Sequence, residues 1–274
     1  MKVSLTASTW DFIHIGGRHN DPAAVVQEIY RHGLVPELWL AWGPQPDCYD
    51  RGNWEGLREI VRPSPALSFH TRNDRQRMLE EIELLAYLGG RVLVVHPVVV
   101  SLPGFPERKA DYSFIRELAA AARERGVLLA LENIHGRGFL DDVLGHVETF
   151  DDRGGLGICI DIGHAELRTT GQGGFLPEEQ RLPDPRESAV QLIRDYGPLL
   201  LHLHIHDVAG EQDHRPLGTG FIDYSAIAAA LRELDFQGAG CIEIRCDEPV
   251  AMLDSSIAYL RNAFGSAVAM GAEA

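Results

Sequence analysis

Cysteine is scarce: the 274 residues hold four, Cys48, Cys159, Cys241 and Cys246, and no two form a CxxC pair. That excludes a disulfide scaffold and a thiolate zinc knot. Cys159 and Cys241 stand inside apolar runs and read as small core residues. No run of 18 apolar residues occurs, and the opening MKVSLTASTWDFIHIGG has neither an apolar signal core nor a small-residue cleavage site. No membrane association is therefore expected, and the expected location is cytoplasmic. Basic residues are also few, 25 Lys and Arg against 40 Asp and Glu, for a formal net charge of -15. Such a balance repels phosphate backbones, so nucleic acid is not favoured as a partner. No GxGxxG, Walker loop or Ser-His-Asp pattern stands out, and no organic cofactor is expected.

With 45% hydrophobic and 24% charged residues, the chain has the composition of an ordinary globular protein large enough for a substantial core. Short apolar runs alternate with longer amphipathic ones from end to end. The runs predict strands at 3–9, 36–42, 66–72, 91–99, 127–133, 156–161, 199–207 and 240–245. Helical patterns fall at 22–32, 54–61, 74–88, 112–125, 141–150, 187–196, 224–234 and 252–264. In 112–125, Ile115, Leu118, Ala119 and Ala122 make one stripe. Eight strand-helix units in about 250 residues predict a single-domain α/β fold, the closed (β/α)8 TIM barrel. The barrel is expected over residues 1–265, with a flexible tail at 266–274. Gly33, Gly89, Gly126 and Gly155 each separate a helix from the next strand, where a left-handed C-cap is wanted. Long loops are expected at 43–53 and 166–186, at the end of the barrel where sites occur.

Polar residues interrupt the strands, and a buried strand should not carry them without a reason. Acids close three strands: Glu132 in VLLALEN, Asp161 in GICIDIGH, Glu243 in GCIEIR. His202, His204 and His206 alternate with apolar residues along strand seven, so all three share a face. His70 and His96 end strands three and four. In chain order the expected ring is His70, His96, Glu132, Asp161, His164, His204 and Glu243. Carboxylates gathered at one mouth raise one another's pKa, and a bound cation is the natural compensation. Carboxylates with an imidazole suit one divalent ion per chain: Mn, Co, Mg, Fe or Zn. Such an ion binds adjacent oxygens of a small polar, sugar-like substrate and acidifies the carbon-bound proton between them. Two glutamates then remove and return that proton through an enediolate that the ion stabilises. His164, His70 and His96 are candidates to hold substrate hydroxyls, and Arg245 to orient Glu243 or meet an anion.

The stretches LALEN, CIDIGH, HLHIHD, LGTG and IEIR together resemble the xylose-isomerase-like TIM-barrel superfamily over nearly the whole chain. That superfamily holds sugar phosphate isomerases and epimerases, inosose dehydratase and the apurinic endonuclease branch. The resemblance implies a metal-dependent isomerase or epimerase of a small sugar, sugar phosphate or related hydroxy-carbonyl compound. It implies metal ligands at Glu132, Asp161, His204 and Glu243, His204 standing three before Asp207. It makes Glu132 and Glu243 the acid-base pair, His164 a substrate-binding histidine, and Glu37, Trp39 and Trp42 neighbours of the sugar pocket. A homodimer is expected on the same ground. The alternatives are an inosose dehydratase-like lyase and a zinc-dependent phosphoesterase resembling the endonuclease branch. For the latter, His214 is a candidate additional ligand, but Gln212 stands where that branch has an aspartate, unless Asp213 substitutes.

Overall fold

The computed structural model describes residues 1–12, 14–15, 18–19, 22–39, 50–103, 109–149, 154–171 and 183–271. Eight parallel strands follow one another around a ring: β1 Lys2–Ser8, β2 Val35–Trp39, β3 Ser68–His70, β4 Val92–Val95, β5 Leu128–Glu132, β6 Leu156–Asp161, β7 Leu200–Ile205 and β8 Gln237–Ile242. β8 returns to β1, with Lys2 opposite Gln237 and Ala7 opposite Ile242, which closes the barrel. Around it lie α1 Pro22–Arg31, α2 Trp54–Ile60, α3 Met78–Leu88, α4 Tyr112–Glu124, α5 Arg137–Leu144, α6 Ile162–Thr170, α7 Ala189–Tyr196, α8 Tyr224–Glu233 and α9 Pro249–Phe264. Among the described residues no helix is long and apolar enough to cross a membrane.

The two-residue period of the strands sorts their side chains into two layers. Val3, Leu5, Leu38, Phe69, Leu93, Leu129, Leu131, Ile158, Ile160, Leu203, Ile205 and Ile242 pack outward into one large core with the helices. The alternate positions point into the barrel, where Val92, Val94, Ala130 and Cys159 make only a small apolar cluster, with Leu201, the extra residue at a register shift in β7, packed against it. Most of the other inward positions are polar. Thr6, Ser8, Glu37, Ser68, His70, Glu132, Asp161, His202, His204 and Glu243 are all buried. Burial of the outward set holds the barrel together, leaving the inward set free for chemistry.

Some boundaries differ from the sequence reading, each for a local reason. The helix expected at 141–150 is Arg137–Leu144. Gly136, at φ 77, ends a short turn and the helix restarts at once, burying Phe139, Leu140 and Val143. The expected loop 166–186 begins as helix, because Asp161 caps α6 and the helix runs to Thr170. Strand eight lies at Gln237–Ile242 rather than 240–245, so Glu243 and Arg245 follow the strand. Gly33, Gly89 and Gly126 do have positive φ, but Gly155 does not. A Cβ there would lie 2.1 Å from the Ala119 carbonyl, so Gly155 serves close approach of α4 to the barrel. Within the expected tail, Val268–Met270 forms a short strand parallel to β1 at Val3–Leu5, against which Met270 lies opposite Leu5.

α4 illustrates how such a helix is held. Its buried face is Ile115, Leu118, Ala119 and Ala122, and Asp111 caps it by accepting from the Phe114 N–H at 3.1 Å. Arg75 donates to the same carboxylate at 2.5 Å. A little burial opposes charge on Asp111, but Arg75 and the capped N–H groups outweigh it and lower its pKa. Asp111→Ala is expected to cost about 1 kcal/mol in urea unfolding at pH 7. A lowered folded pKa means that this contribution is present above the unfolded carboxylate value of about 3.9 and is lost as pH falls through the folded one. Equal stability of the two proteins at pH 7 would contradict the cap.

Candidate metal centre

The carboxyl ends of the strands converge on one imidazole nitrogen. His204 Nδ1 lies 3.4 Å from Glu243 Oε2, 3.8 Å from Asp161 Oδ2 and 3.9 Å from Glu132 Oε2. Donors about 2.0–2.2 Å from an ion stand roughly 3–3.6 Å apart, so this spacing is close to that of a ligand set. Among the described residues, Asp161, His204 and Glu243 form one group with ligand atoms within 4.8 Å of one another. His70, Glu132 and His204 form a second group that shares the imidazole, and Asp161, His164, His206 and His214 a third that shares Asp161. Glu132 thus sits between neighbouring groups. Its buried Oε2 has no aligned hydrogen-bond donor, yet His96 Nε2 and His70 Nε2 face it at 3.0 and 3.6 Å. A buried carboxylate oxygen ringed by imidazole nitrogens without a formed hydrogen bond fits a cation-binding role.

Local structure aims these groups. Asp161 Oδ1 accepts from the His164 N–H at 2.7 Å as the α6 cap and lies 3.0 Å from His206 Nε2, while Oδ2 faces His204. His206 Nδ1 accepts from the His214 backbone N–H at 2.9 Å, so its proton sits on Nε2 and is donated to Asp161. Gly163 makes room for that ring, because a Cβ would meet His206 Cε1 at 2.0 Å. Asn133 clamps β5 to β6 by accepting from the Asp161 N–H at 2.7 Å and donating to its carbonyl at 3.1 Å. After β7 a hairpin, Asp207–Ala209 against Gln212–Arg215, carries His214 at φ 52. This conformation is costly for a non-glycine residue. Bonds from its own N–H to His206 and from the Arg245 N–H to its carbonyl hold it there. The LGTG turn is organised by Asp207, whose two oxygens accept from the N–H groups of Val208, Gly218, Gly220 and Ile222.

The charges are arranged in opposing pairs. Burial opposes charge on Glu132, but His96, His164 and His70 outweigh it and hold the carboxyl well below the usual range. Asp161 is lowered likewise: burial is overcome by His164 and His206. Burial also opposes charge on the imidazoles. Asp161, Asp213 and Glu132 nevertheless raise His164 to about 10, and Asp213 and Glu243 raise His214 to about 9. In His96 burial wins and the pKa falls. Burial pushes the Cys159 thiol up to about 12, which makes it inert packing beside His204.

These groups floor a cavity of about 690 Å³. Glu132, Glu243, His70, His96, His164, His214 and Arg245 line it, while Asp161 and His204 lie a layer deeper. Two tryptophans wall one side: Trp10 meets Trp39 edge to face at 5.2 Å, and Trp39 meets His70 at 6.2 Å. The Arg245 guanidinium stacks on Trp10, 3.9 Å from the ring centre. It lines the cavity, and among the described residues no salt bridge joins it to Glu243.

The matching family model spans residues 59–263 and describes a xylose isomerase-like TIM barrel. The chain belongs to this family. Family and ligand groups together support a metal-dependent enzyme of the superfamily. Among solved structures, a D-tagatose 3-epimerase-like protein is similar at 20% identity, over 95% of this chain and 98% of that one, with a TM-score of 0.66. D-psicose 3-epimerase from Clostridium cellulolyticum H10, solved with D-tagatose, is similar at 13% identity over 96% and 99%, TM-score 0.66. The IOLI protein, solved with a zinc atom, is similar at 16% identity over 96% and 100%, TM-score 0.67. At these identities the likeness is one of fold. Comparison with curated protein sequences gives no significant match.

For this xylose isomerase-like barrel, the sequence reading and the structure differ at particular residues. Glu37, expected beside the sugar, is fully buried beneath the ligands and does not line the cavity. An inward position low on β2 puts it there. Trp42 lies outside the described residues. Trp10 was missed, although an aromatic two residues past the end of β1 is a signal for the mouth. Asp213 turns toward the cluster, its oxygens 3.5 Å from His164 Nε2 and 3.3 Å from His214 Nδ1, while Gln212 is exposed.

Proposed function

We propose that this protein is a divalent-metal-dependent isomerase or epimerase of a small sugar or related hydroxy-carbonyl compound. The observation that carries the reading is the approach of Glu132, at the end of β5, and Glu243, just after β8, to the same His204 nitrogen at the floor of an aromatic-walled cavity. Asp161, His204 and Glu243, with Glu132 beside them, would hold the ion. An ion there supplies the charge that acidifies a C–H between two substrate oxygens. Glu132 and Glu243, three strands apart on the ring, reach a bound sugar from different sides, so one carries the proton off and the other returns it. Trp10 and Trp39 exclude water from the sugar's apolar face. His164, His70 and His96 hydrogen-bond its hydroxyls, and Arg245 meets the end nearest the mouth. A homodimer and a cytoplasmic location belong to the same proposal.

The test is turnover in D2O of a panel of ketoses and ketose phosphates with Mn or Co added. The expected result is deuterium at the carbon beside the carbonyl and one ion per chain by elemental analysis. Asp213 between His164 and His214 favours a second reading, a zinc phosphoesterase with further ions in the neighbouring groups. Three tightly held zinc ions with phosphodiester cleavage and no C–H exchange would establish that reading instead. Loss of water from the substrate would mark the dehydratase.

A further inference from the structure

Beneath the ligand groups the barrel holds a second polar layer that touches no substrate space. At its centre is Glu37, fully buried. Its Oε2 accepts from the Ser68 hydroxyl at 2.7 Å and lies 2.8 Å from His202 Nε2. Its Oε1 lies 3.2 Å from His204 Nε2, and neither of these two atoms has another aligned hydrogen-bond partner. The two are therefore each other's natural partner, a small rotation from alignment. On the other side of the same ring, Nδ1 faces Glu243, Asp161 and Glu132. An imidazole carries its proton on one nitrogen when the other binds a cation. Nδ1 faces three carboxylates that can share an ion, whereas Nε2 faces the single carboxylate of Glu37, so Nε2 is the side that keeps the proton.

We infer that Glu37 is a positioning residue that fixes His204 with Nε2–H toward itself and Nδ1 toward the ion, with Ser68 and His202 anchoring the carboxylate. This rests on the metal-dependent reading of the site. The three neighbours of Glu37 come from two separate strands: Ser68 on β3, and His202 and His204 on β7. Registers place Glu37 opposite Ser68 across the β2–β3 pair, so the anchor is built into the sheet. A glutamate held this way cannot swing up to a sugar.

The experiment compares wild type, Glu37→Gln and Ser68→Ala by chelator competition for Zn²⁺, and by 15N NMR of histidine-labelled, Zn-loaded protein. Glu37→Gln is expected to bind zinc about 10–100-fold more weakly, as outer partners of metal-bound histidines do when replaced. Ser68→Ala is expected to lose a few-fold, roughly in line with one anchoring hydrogen bond. In the wild type the proton of His204 should sit on Nε2, hydrogen-bonded and slow to exchange. In Glu37→Gln that proton should exchange freely. A purely structural role would lower thermal stability without moving the ring proton. If Glu37→Gln does not fold, Ser68→Ala carries both readouts. Zinc affinity within twofold of wild type in the folded variants, or zinc bound to Nε2 of His204, would overturn the inference. The two readings fail separately. A protein that binds zinc through His204 Nδ1 but exchanges no C–H proton sinks the isomerase proposal and leaves this one standing. Intact exchange with unchanged zinc affinity in Glu37→Gln does the reverse.

Discussion

Glu243→Gln is expected to lower turnover by about 10²–10⁴-fold, the range attributed to a positioned general acid or base. The amide keeps the shape of the side chain, and the backbone of Glu243 stays anchored through its N–H to the Ile205 carbonyl. What is lost is the negative charge that takes a proton and helps to hold the ion. Burial opposes charge on Glu243, but His204 and His214 outweigh it and lower its pKa, so the native group is the ionised, proton-accepting form. The two-base arrangement gives this variant a signature. On the proposed mechanism Glu132 still serves the substrate from its own side, so one epimer should continue to exchange its C–H proton with D2O although conversion is lost. Glu132→Gln should show the mirror pattern with the other epimer. Metal content measured on the same samples separates a missing base from a missing ion. Unchanged conversion in both variants, with the ion retained, would rule out the pair.

Gly163→Ala is expected to have a large effect for the addition of a single methyl group. The added carbon would fall 2.0 Å from His206 Cε1 and 2.5 Å from Nδ1. The ring has nowhere to go. It stacks on His214 at 4.1 Å with the planes 7° apart, accepts from the His214 N–H, and bonds Asp161 through Nε2. Moving it releases Asp161 and the strained backbone of His214 together. Overpacking of this kind costs about 2–3 kcal/mol, which for a domain of this size is about 5–10 °C in Tm. The ion should be held at least about tenfold more weakly, because Asp161 loses the partner that orients it. Gly138→Ala is the control, since no atom stands within 4 Å of its added carbon. A Tm and zinc affinity for Gly163→Ala equal to those of Gly138→Ala would show that the motif spacing has another cause.

The legible part of the site is the part written in strand periodicity. Glu132, Asp161, His204 and Glu243 break apolar runs at strand ends, and a parallel barrel brings all strand ends to one mouth, so their convergence follows from counting. Asp161 shows the limit of that reading. Its position at the end of β6 was visible, whereas its use of Oδ1 as a helix cap, which leaves Oδ2 for the cluster, depends on α6 beginning at the next residue. The D-x-G-H spacing contained this, because a capping acid three residues before a histidine is a helix start and the glycine is a close approach. Asp213 could not be assigned from spacing, since the hairpin register decides which of Gln212 and Asp213 points inward. The sequence reads Arg245 as an orienting partner or an anion site, whereas its stacking on Trp10 depends on β8 closing against β1, which brings the turn after β1 beside it.

By itself, the sequence determined the barrel, its eight strands, the ring of acids and imidazoles at one end and the family to which the chain belongs. These are properties of period and order, and period and order are local. Only the tertiary structure decided which atom of each group faces which. It put Glu37 under His204 rather than beside a substrate, made His206 the support of Asp161, and turned Asp213 toward His164 and His214. Those outcomes rest on ångström-scale distances between residues up to 167 positions apart in the chain, as Glu37 and His204 are. They are set by strand register and by how closely backbone and ring pack, which the one-dimensional pattern does not specify.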